Sequence, residues 1–234
     1  MKTVRNVLVV VILVACLAIM GCDENSLLTG EGGPPPALPS IAFKGPQTTS
    51  TNPEALNTKS AVDAMNGFSS YFLIFSGVTP KDSGGVFTWT YLSQALTIRL
   101  VATKQQDGGF AWKIIYNGTN SQNKTYTNWT SVDGTTSSDT KSANWVVYED
   151  NTTLKAADFV WSTSTSNSVS GSYKLYANSA LSSQLSITSN TDNTGEFRQS
   201  DDLALIYRST WLANGSGQWW RYDRSGQITS SGSW

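Results

Sequence analysis

Polar and apolar positions alternate along most of the chain after Val86. Short β-rich stretches such as 86–94, 143–149 and 203–211 are separated by clusters of Gly, Asn, Asp and Ser about every 10 to 15 residues. No proline follows Pro80, and a proline within a central strand would remove a hydrogen bond of the sheet. The pattern predicts a mainly β protein, an antiparallel up-and-down meander of about 10 to 12 strands that forms a curved sheet or a barrel.

A helical period precedes these strands. Large apolar residues recur three or four positions apart at Val62, Met65, Phe68, Phe72 and Phe75. Pro53 followed by Glu54 suits a helix start, and Gly77 suits its end. We therefore expect one N-terminal amphipathic helix, over about 54–76, that packs its apolar face on the sheet. Because Asn66-Gly67 is also a turn signal, the alternative is a short helix that ends at Gly67 and a strand at 69–77.

Aromatic pairs spaced three residues apart recur in three of the predicted strands, at Trp145/Tyr148, Tyr173/Tyr176 and Trp219/Tyr222. Residues three apart in a strand face opposite sides of the sheet. Each of these strands is thus expected to present an aromatic ring to both faces.

The end of the chain is predicted to be a hairpin with strands at 219–222 and 227–234 and a turn at 223–226. Alternation puts Trp220 and Tyr222 on one face and Trp219 and Arg221 on the other, and we expect Trp220 and Tyr222 to pack inward. A terminal aromatic such as Trp234 is also typical of outer-membrane β-barrels. The membrane barrel is the minor alternative, since strands such as 162–171 are too polar to face lipid.

A targeting signal is indicated at the start of the chain. Lys2 and Arg5 precede an uncharged apolar run at 7–20, which is short for a membrane helix because spanning a bilayer takes about 20 apolar residues. The run ends in Ile19-Met20-Gly21-Cys22, which resembles the lipobox of bacterial lipoproteins. An ordinary secretory signal or an uncleaved anchor is the alternative.

The lipobox resemblance implies cleavage between Gly21 and Cys22 and acylation of Cys22. Such a lipid would tether the protein to a membrane of the bacterial cell envelope, with the domain outside the cytoplasm. Asp23 follows the cysteine, which resembles both the inner-membrane retention signal of enteric bacteria and the acidic surface-export signals of other phyla, so both locations stay open. The predicted organisation is a signal peptide at 1–21, a Pro/Gly/Ser/Thr-rich tether at 22–53 and a single β-rich domain at 54–234.

Composition removes several kinds of chemistry. Without Lys2 and Arg5 the chain has 14 basic and 17 acidic residues, a net charge of −3, which does not favour nucleic acid. The sequence has no histidine, and Cys16 would leave with the signal peptide. Histidine bases, cysteine nucleophiles and His or Cys metal ligands are therefore excluded, and neither a cofactor nor a metal is expected.

Two kinds of candidate site remain. The acidic pairs Glu149-Asp150 and Asp201-Asp202 fall in predicted turns and would serve a carboxylate-dependent glycan hydrolase, the alternative function. Aromatic residues make up 11% of the chain, and exposed rings suit sugars or apolar ligands. The candidate binding residues are Trp145, Trp161, Trp219 and Trp220. The favoured expectation is a non-enzymatic, lipid-anchored envelope protein that binds an apolar ligand, a glycan or a protein partner through its sheet.

Overall fold

The computed structural model describes residues 34–234 as one antiparallel sheet with a helical segment packed on it. The helical elements are α1 (Pro53–Asn66), a 3-10 helix (Gly67–Ser69) and α2 (Ser70–Leu73). The strands are β1 (Lys81–Asp82), β2 (Val86–Ser93), β3 (Leu96–Lys104), β4 (Phe110–Thr119), β5 (Thr125–Thr136), β6 (Ser142–Tyr148), β7 (Lys155–Thr163), β8 (Val169–Ala177), β9 (Ala180–Ser189), β10 (Gly195–Asp201), β11 (Ala204–Trp211), β12 (Gly217–Tyr222) and β13 (Ile228–Ser233).

All 13 described strands pair in chain order, so each strand lies beside its sequence neighbours. The sheet is open, and β1 and β13 are its two edges. The predicted up-and-down meander is confirmed, with the open sheet rather than the barrel. The additional strand is β1, whose two residues are too few to show a period of two.

Asparagine and glycine form several of the hairpin turns because they accept a positive φ. Between β9 and β10, Asn193 has φ 66°, and the amide of Asn190 donates to the carbonyl of Thr194 at 2.8 Å. Between β11 and β12, Gly215 has φ 83°. These residues let the chain reverse within a few positions and keep the strands in register.

The helical segment continues through Asn66-Gly67, so the alternative of a strand at 69–77 is wrong. The side chain of Asn52 caps the start of α1 by accepting from the amide of Glu54 at 2.9 Å. Gly67 keeps helical angles, φ −58° and ψ −19°. Tertiary packing explains why the helix continues. Helical geometry keeps Phe68 and Phe72 on the same side as Val62, and all three side chains are buried against the sheet.

The helical segment packs its aromatic face against the middle of the sheet. The ring of Phe68 lies 4.8 Å from the ring of Phe159 and 5.5 Å from that of Trp145, measured between centroids. The ring of Phe72 lies 5.1 Å from that of Trp145 and 6.5 Å from that of Trp112. The predicted buried face is confirmed, since Val62, Met65, Phe68, Phe72 and Phe75 are all at most 4% exposed.

Polar contacts hold the start of α1 against β11 and β12, near the β13 edge of the sheet and on the same face as the aromatic packing. The Thr58 hydroxyl is buried and lies 2.9 Å from both the Tyr207 hydroxyl and the Ser209 hydroxyl, on β11. Glu54 accepts a hydrogen bond from Arg221 of β12 at 2.8 Å. The helical segment therefore crosses the sheet from β12 to β4.

Part of the predicted tether belongs to the folded domain. Phe43 is 4% exposed and packs edge-on against Phe159, with centroids 6.3 Å apart. It occupies the space above Gly171, where a Cβ would lie 2.3 Å from the Phe43 ring. The segment 34–52 contains no helix or strand, which is why no periodicity in the sequence indicated this packing.

Tryptophans on the helix side of the sheet alternate with small residues on neighbouring strands. A Cβ at Gly134 would lie 2.3 Å from the Trp145 ring, and one at Gly195 would lie 2.2 Å from the Trp211 ring. Each tryptophan ring lies over a small residue on the neighbouring strand, because a larger side chain there would collide with the ring. Such sets across strands are Ala102–Trp112–Gly134–Trp145, Ala143–Trp161–Gly171, Gly195–Trp211–Gly217 and Ser209–Trp219–Gly232.

Candidate functional site

The face of the sheet under the helical segment offers little space for a ligand, because aromatic rings fill it. Trp112, Trp145, Phe72 and Phe159 are each at most 1% exposed. Burial, reinforced by the neighbouring Tyr71, raises the pKa of Tyr116 to about 12. This phenol therefore stays neutral near pH 7. The helix side is a packed core rather than a reactive site.

The opposite face, which we call the outer face, carries an open groove over β5 to β8. One part, about 550 Å³, lies at the β3–β4 and β5–β6 turns. A second part, about 360 Å³, lies over the middle of β5 to β8. Thr135 and Asn144 line both parts, and we call the combined depression the outer groove. Its lining side chains include Gln105 and Asp107 in the β3–β4 turn and, on the outer face, Asp133, Thr135, Asn144, Lys155, Asp158, Ser172 and Lys174.

Asp158 is the most constrained charge in the outer groove. Its Oδ2 accepts a 2.6 Å hydrogen bond from the Tyr176 hydroxyl, and this bond raises the pKa of Tyr176. Lys155 Nζ lies 3.1 Å from Asp158 Oδ1. Oδ1 is nevertheless buried and accepts no well-formed hydrogen bond from any residue in 34–234. The charge of this carboxylate is thus balanced by the Lys155 ammonium, which also donates to Oδ2 at 3.3 Å.

A second carboxylate lines the same groove. Asp133 of β5 and Asp158 of β7 each lie opposite Val146 of β6. Two strand spacings of about 4.8 Å separate their backbones by about 10 Å. Lys174 lies directly opposite Asp158 on β8. The groove thus combines opposite charges with the hydroxyl and amide groups of Thr135, Asn144 and Ser172.

An arginine cluster lies farther along the outer face, on β10 to β12. Glu196 accepts hydrogen bonds from Arg208 at 2.6 and 2.8 Å and also from Arg198. Burial raises the pKa of Glu196, but the two arginines outweigh it, so the net pKa is lowered. The Arg208 guanidinium also lies 5.0 Å above the centre of the Trp220 ring.

The four tryptophans predicted to bind a ligand do not come together. Trp145 and Trp161 are 1% and 6% exposed and belong to the core. Trp219 packs partly against the core on the helix side, between Ser209 and Gly232. Trp220 is half-buried and faces outward, beneath Arg208.

The predicted orientation of the final hairpin is wrong, although the predicted division between faces holds. Trp219 and Arg221 face the helix side, where Arg221 reaches Glu54. Trp220 lies opposite Arg208, on the outer face. The physical reason is steric. Trp219 lies between two small residues on the adjacent strands, Ser209 and Gly232, which leave space for its ring, whereas Trp220 lies opposite the large Arg208.

The acidic pairs lie where strands end and turns begin, and Asp201 is itself the last residue of a strand rather than part of a turn. Glu149 and Asp150 follow β6, and Asp201 ends β10. Asp202 adopts a positive φ of 46° in the following turn. Neither pair lines the outer groove. Gly21 and Cys22, the predicted cleavage and lipidation site, lie outside the described residues.

Sequence reasoning missed the carboxylates that do line the groove. Asp158 stands between the buried residues Ala157 and Phe159, and Asp133 follows the buried Val132. A charged residue in the middle of an otherwise apolar strand was the available signal. The adjacent acidic pairs, which the sequence analysis favours, lie elsewhere.

Among residues 34–234, no three His, Cys, Asp or Glu residues are grouped in a way that could hold a metal ion. Within the same range, no helix has the length and apolar character needed to cross a membrane. Neither the comparison with protein-family models nor that with curated proteins yields a match.

Proposed function

We propose that the protein is a lipid-anchored, non-enzymatic binding protein of the bacterial cell envelope, and that it binds a glycan on the outer face of its sheet. The observation that carries this proposal is the outer groove around Asp158. Its lining gathers carboxylate, ammonium, hydroxyl and amide groups from β5 to β8, among them Asp133, Asn144, Lys155, Asp158, Ser172 and Lys174.

Glycans suit this surface better than the other ligand classes. A sugar presents many hydroxyl groups that both donate and accept hydrogen bonds, as Asp158, Asn144 and Ser172 require. An apolar ligand would need the helix side, where Phe68 and Phe72 already fill the space against Trp145. A protein partner remains the second class of ligand for the outer face.

The anchoring part of the proposal rests on the lipobox resemblance at residues 19–22. Acylation of Cys22 would hold the domain at a membrane surface, and two or more acyl chains anchor stably. Cys22→Ser should abolish incorporation of labelled fatty acid into the protein. Full incorporation in that variant would contradict the lipoprotein assignment.

A hydrolase is the alternative, because Asp133 and Asp158 line one groove. Paired carboxyl groups about 5 to 9.5 Å apart cleave glycosidic bonds. However, Lys155 and Tyr176 already contact Asp158. A carboxylate held by these two contacts is not free to exchange a proton with a substrate, which disfavours the hydrolase. If the wild type cleaves a glycan and Asp133→Asn abolishes that cleavage, the hydrolase account replaces ours.

Binding can be tested with soluble β-1,4-glucan, chitin oligosaccharides and peptidoglycan glycan strands. We expect the wild type to retain at least one of them in affinity electrophoresis, and Asn144→Arg to lose it by filling the groove where its two parts meet. Ser170→Arg is the matched control: it adds the same side chain at an exposed outer-face position that does not line the groove. Equal binding by the two variants would place the ligand elsewhere.

A further inference from the structure

Four aromatic side chains in the described range 34–234 lie neither in the core nor against it: Tyr148, Tyr176, Trp220 and Tyr222. All four are half-buried. Strand alternation places them on the outer face, since Trp145, Tyr173 and Trp219, three positions earlier than the tyrosines, lie on the helix side. The recurring aromatic spacing of the sequence thus supplies one ring to each face.

These four residues, which we call the aromatic row, lie towards one end of the sheet. Tyr148 ends β6, Tyr222 ends β12 and Tyr176 is next to last in β8. Alternate strands of an up-and-down sheet run in the same direction, so the ends of β6, β8 and β12 lie at one end of it. Trp220 precedes Tyr222 by two positions on the same face.

The aromatic row runs across the strands and continues the outer groove. At about 4.8 Å per strand, Tyr148 and Tyr176 lie about 10 Å apart, and the whole row spans about 29 Å from β6 to β12. Tyr176 joins the row to the groove, because its hydroxyl donates to Asp158. The row and the groove therefore form one continuous surface.

Polar groups occupy the outer face between Tyr176 and Trp220. Gln184 and Ser186 lie outward on β9, opposite Lys174 and Ser172, and Arg198 and Arg208 lie opposite each other on β10 and β11. Aromatic rings at intervals with hydrogen-bonding groups between them match the two surfaces of a sugar chain, its apolar ring faces and its hydroxyl edges.

We propose that the ligand is an extended polysaccharide, and that it crosses the strands from the outer groove at β6–β8 to Trp220 and Tyr222 on β12. This inference rests on the proposed glycan binding and specifies its ligand as a long chain rather than a small sugar. A short oligosaccharide contacts only the groove end, whereas a long chain contacts both ends. Contacts made by one chain at two separated places add to its affinity.

The test compares a trisaccharide with a long chain of whichever of three linear polymers binds: β-1,4-glucan, chitin or peptidoglycan glycan strands. Affinity should rise at least about tenfold from the trisaccharide to the long chain. The double variant Trp220→Ala/Tyr222→Ala should lose this gain and keep the trisaccharide affinity. Tyr222→Phe retains the ring and should retain the gain, and Ser170→Ala should change neither affinity.

Each other result contradicts a specific part of the account. Equal affinity for short and long chains in the wild type would overturn the extended ligand and leave the groove as the site. Loss of trisaccharide binding in the double variant would move the main contact to β12 and overturn the proposed path. Absence of binding at every length, for all three polymers, would overturn the proposed glycan binding itself and favour a protein partner.

Discussion

Asn66 holds the backbone of Phe43 with both ends of its side-chain amide. Oδ1 accepts from the Phe43 amide at 2.7 Å, and Nδ2 donates to the Phe43 carbonyl at 2.9 Å. This paired contact ties the segment before α1 to the helix, and it places the Phe43 ring above Gly171. An asparagine that reads as a turn signal in sequence here joins two segments of the core.

Asn66→Ala should lower the free energy of unfolding by about 1 to 3 kcal/mol, because two hydrogen bonds are lost and both Phe43 backbone groups lose their partner. Urea denaturation measures this directly. Asn57→Ala is the matched control, since Asn57 is exposed on α1 and alanine is the better helix former. Asn57→Ala should therefore lose no stability, and an equal loss in the two variants, or no loss in Asn66→Ala, would contradict the role of the paired contact.

Gly134→Ala should destabilise the sheet by about 1 to 3 kcal/mol through overpacking. The added methyl group would lie 2.3 Å from the Trp145 ring and 2.4 Å from the Asn144 carbonyl oxygen. Gly67→Ala provides the contrast, since nothing lies within 4 Å of its Cβ position and its φ is helical. That variant should gain about 0.5 to 1 kcal/mol. Thermal unfolding of the wild type and the two variants measures both changes. A Gly134→Ala variant more stable than Gly67→Ala would contradict the alternation of large and small residues.

Trp219→Ala should cost about 2 kcal/mol or more, because its ring packs on the core side. Trp220→Ala should cost about 0.5 to 1 kcal/mol, mainly the cation–π contact with Arg208. Thermal unfolding of the two variants orders them. A larger loss for Trp220→Ala would restore the orientation expected from sequence.

The helical segment and the strands β2 to β13 could be predicted from sequence because their periods are set by backbone geometry. Val62, Met65, Phe68 and Phe72 repeat as a helix must to bury one face, and alternation marks the strands. Which face of a short strand is inward is a different question. Trp219 and Trp220 are chemically identical there, and the choice depends on Ser209 and Gly232, which only the strand register brings beside them.

Most of the candidate site could not be predicted from sequence, because it too depends on which residues the strand register brings together. Asp133 and Asp158 are 25 positions apart in sequence and meet in one groove through the pairing of β5, β6 and β7. The burial of Phe43 could not be predicted either, because its segment has no regular secondary structure and therefore no repeating pattern of apolar residues. The aromatic spacing at Tyr148, Tyr176 and Tyr222 was visible, but its common position at one end of the sheet needed the strand directions.

Stability should fall in acid partly through Glu196. Its folded pKa lies below the ordinary value of 4.5, so the ionised form stabilises the fold. That contribution is complete above about pH 4.5 and is lost as the pH falls through the lower folded value. Glu196→Gln should therefore be less stable than the wild type at pH 7, and this difference should shrink by pH 3. Urea denaturation at the two pH values tests it, and a difference that does not change with pH would contradict the role of the arginine pair.

The most direct test of glycan binding on the outer face is chemical-shift mapping by NMR, with the glycan that the wild type retains added to the isotope-labelled protein. The account predicts that the shifted signals belong to Asn144, Tyr148 and Tyr176, while those of Phe68 and Phe72 stay in place. Shifts confined to Phe68, Phe72 and their neighbours under the helix would contradict it, because the ligand would then enter the core side of the sheet.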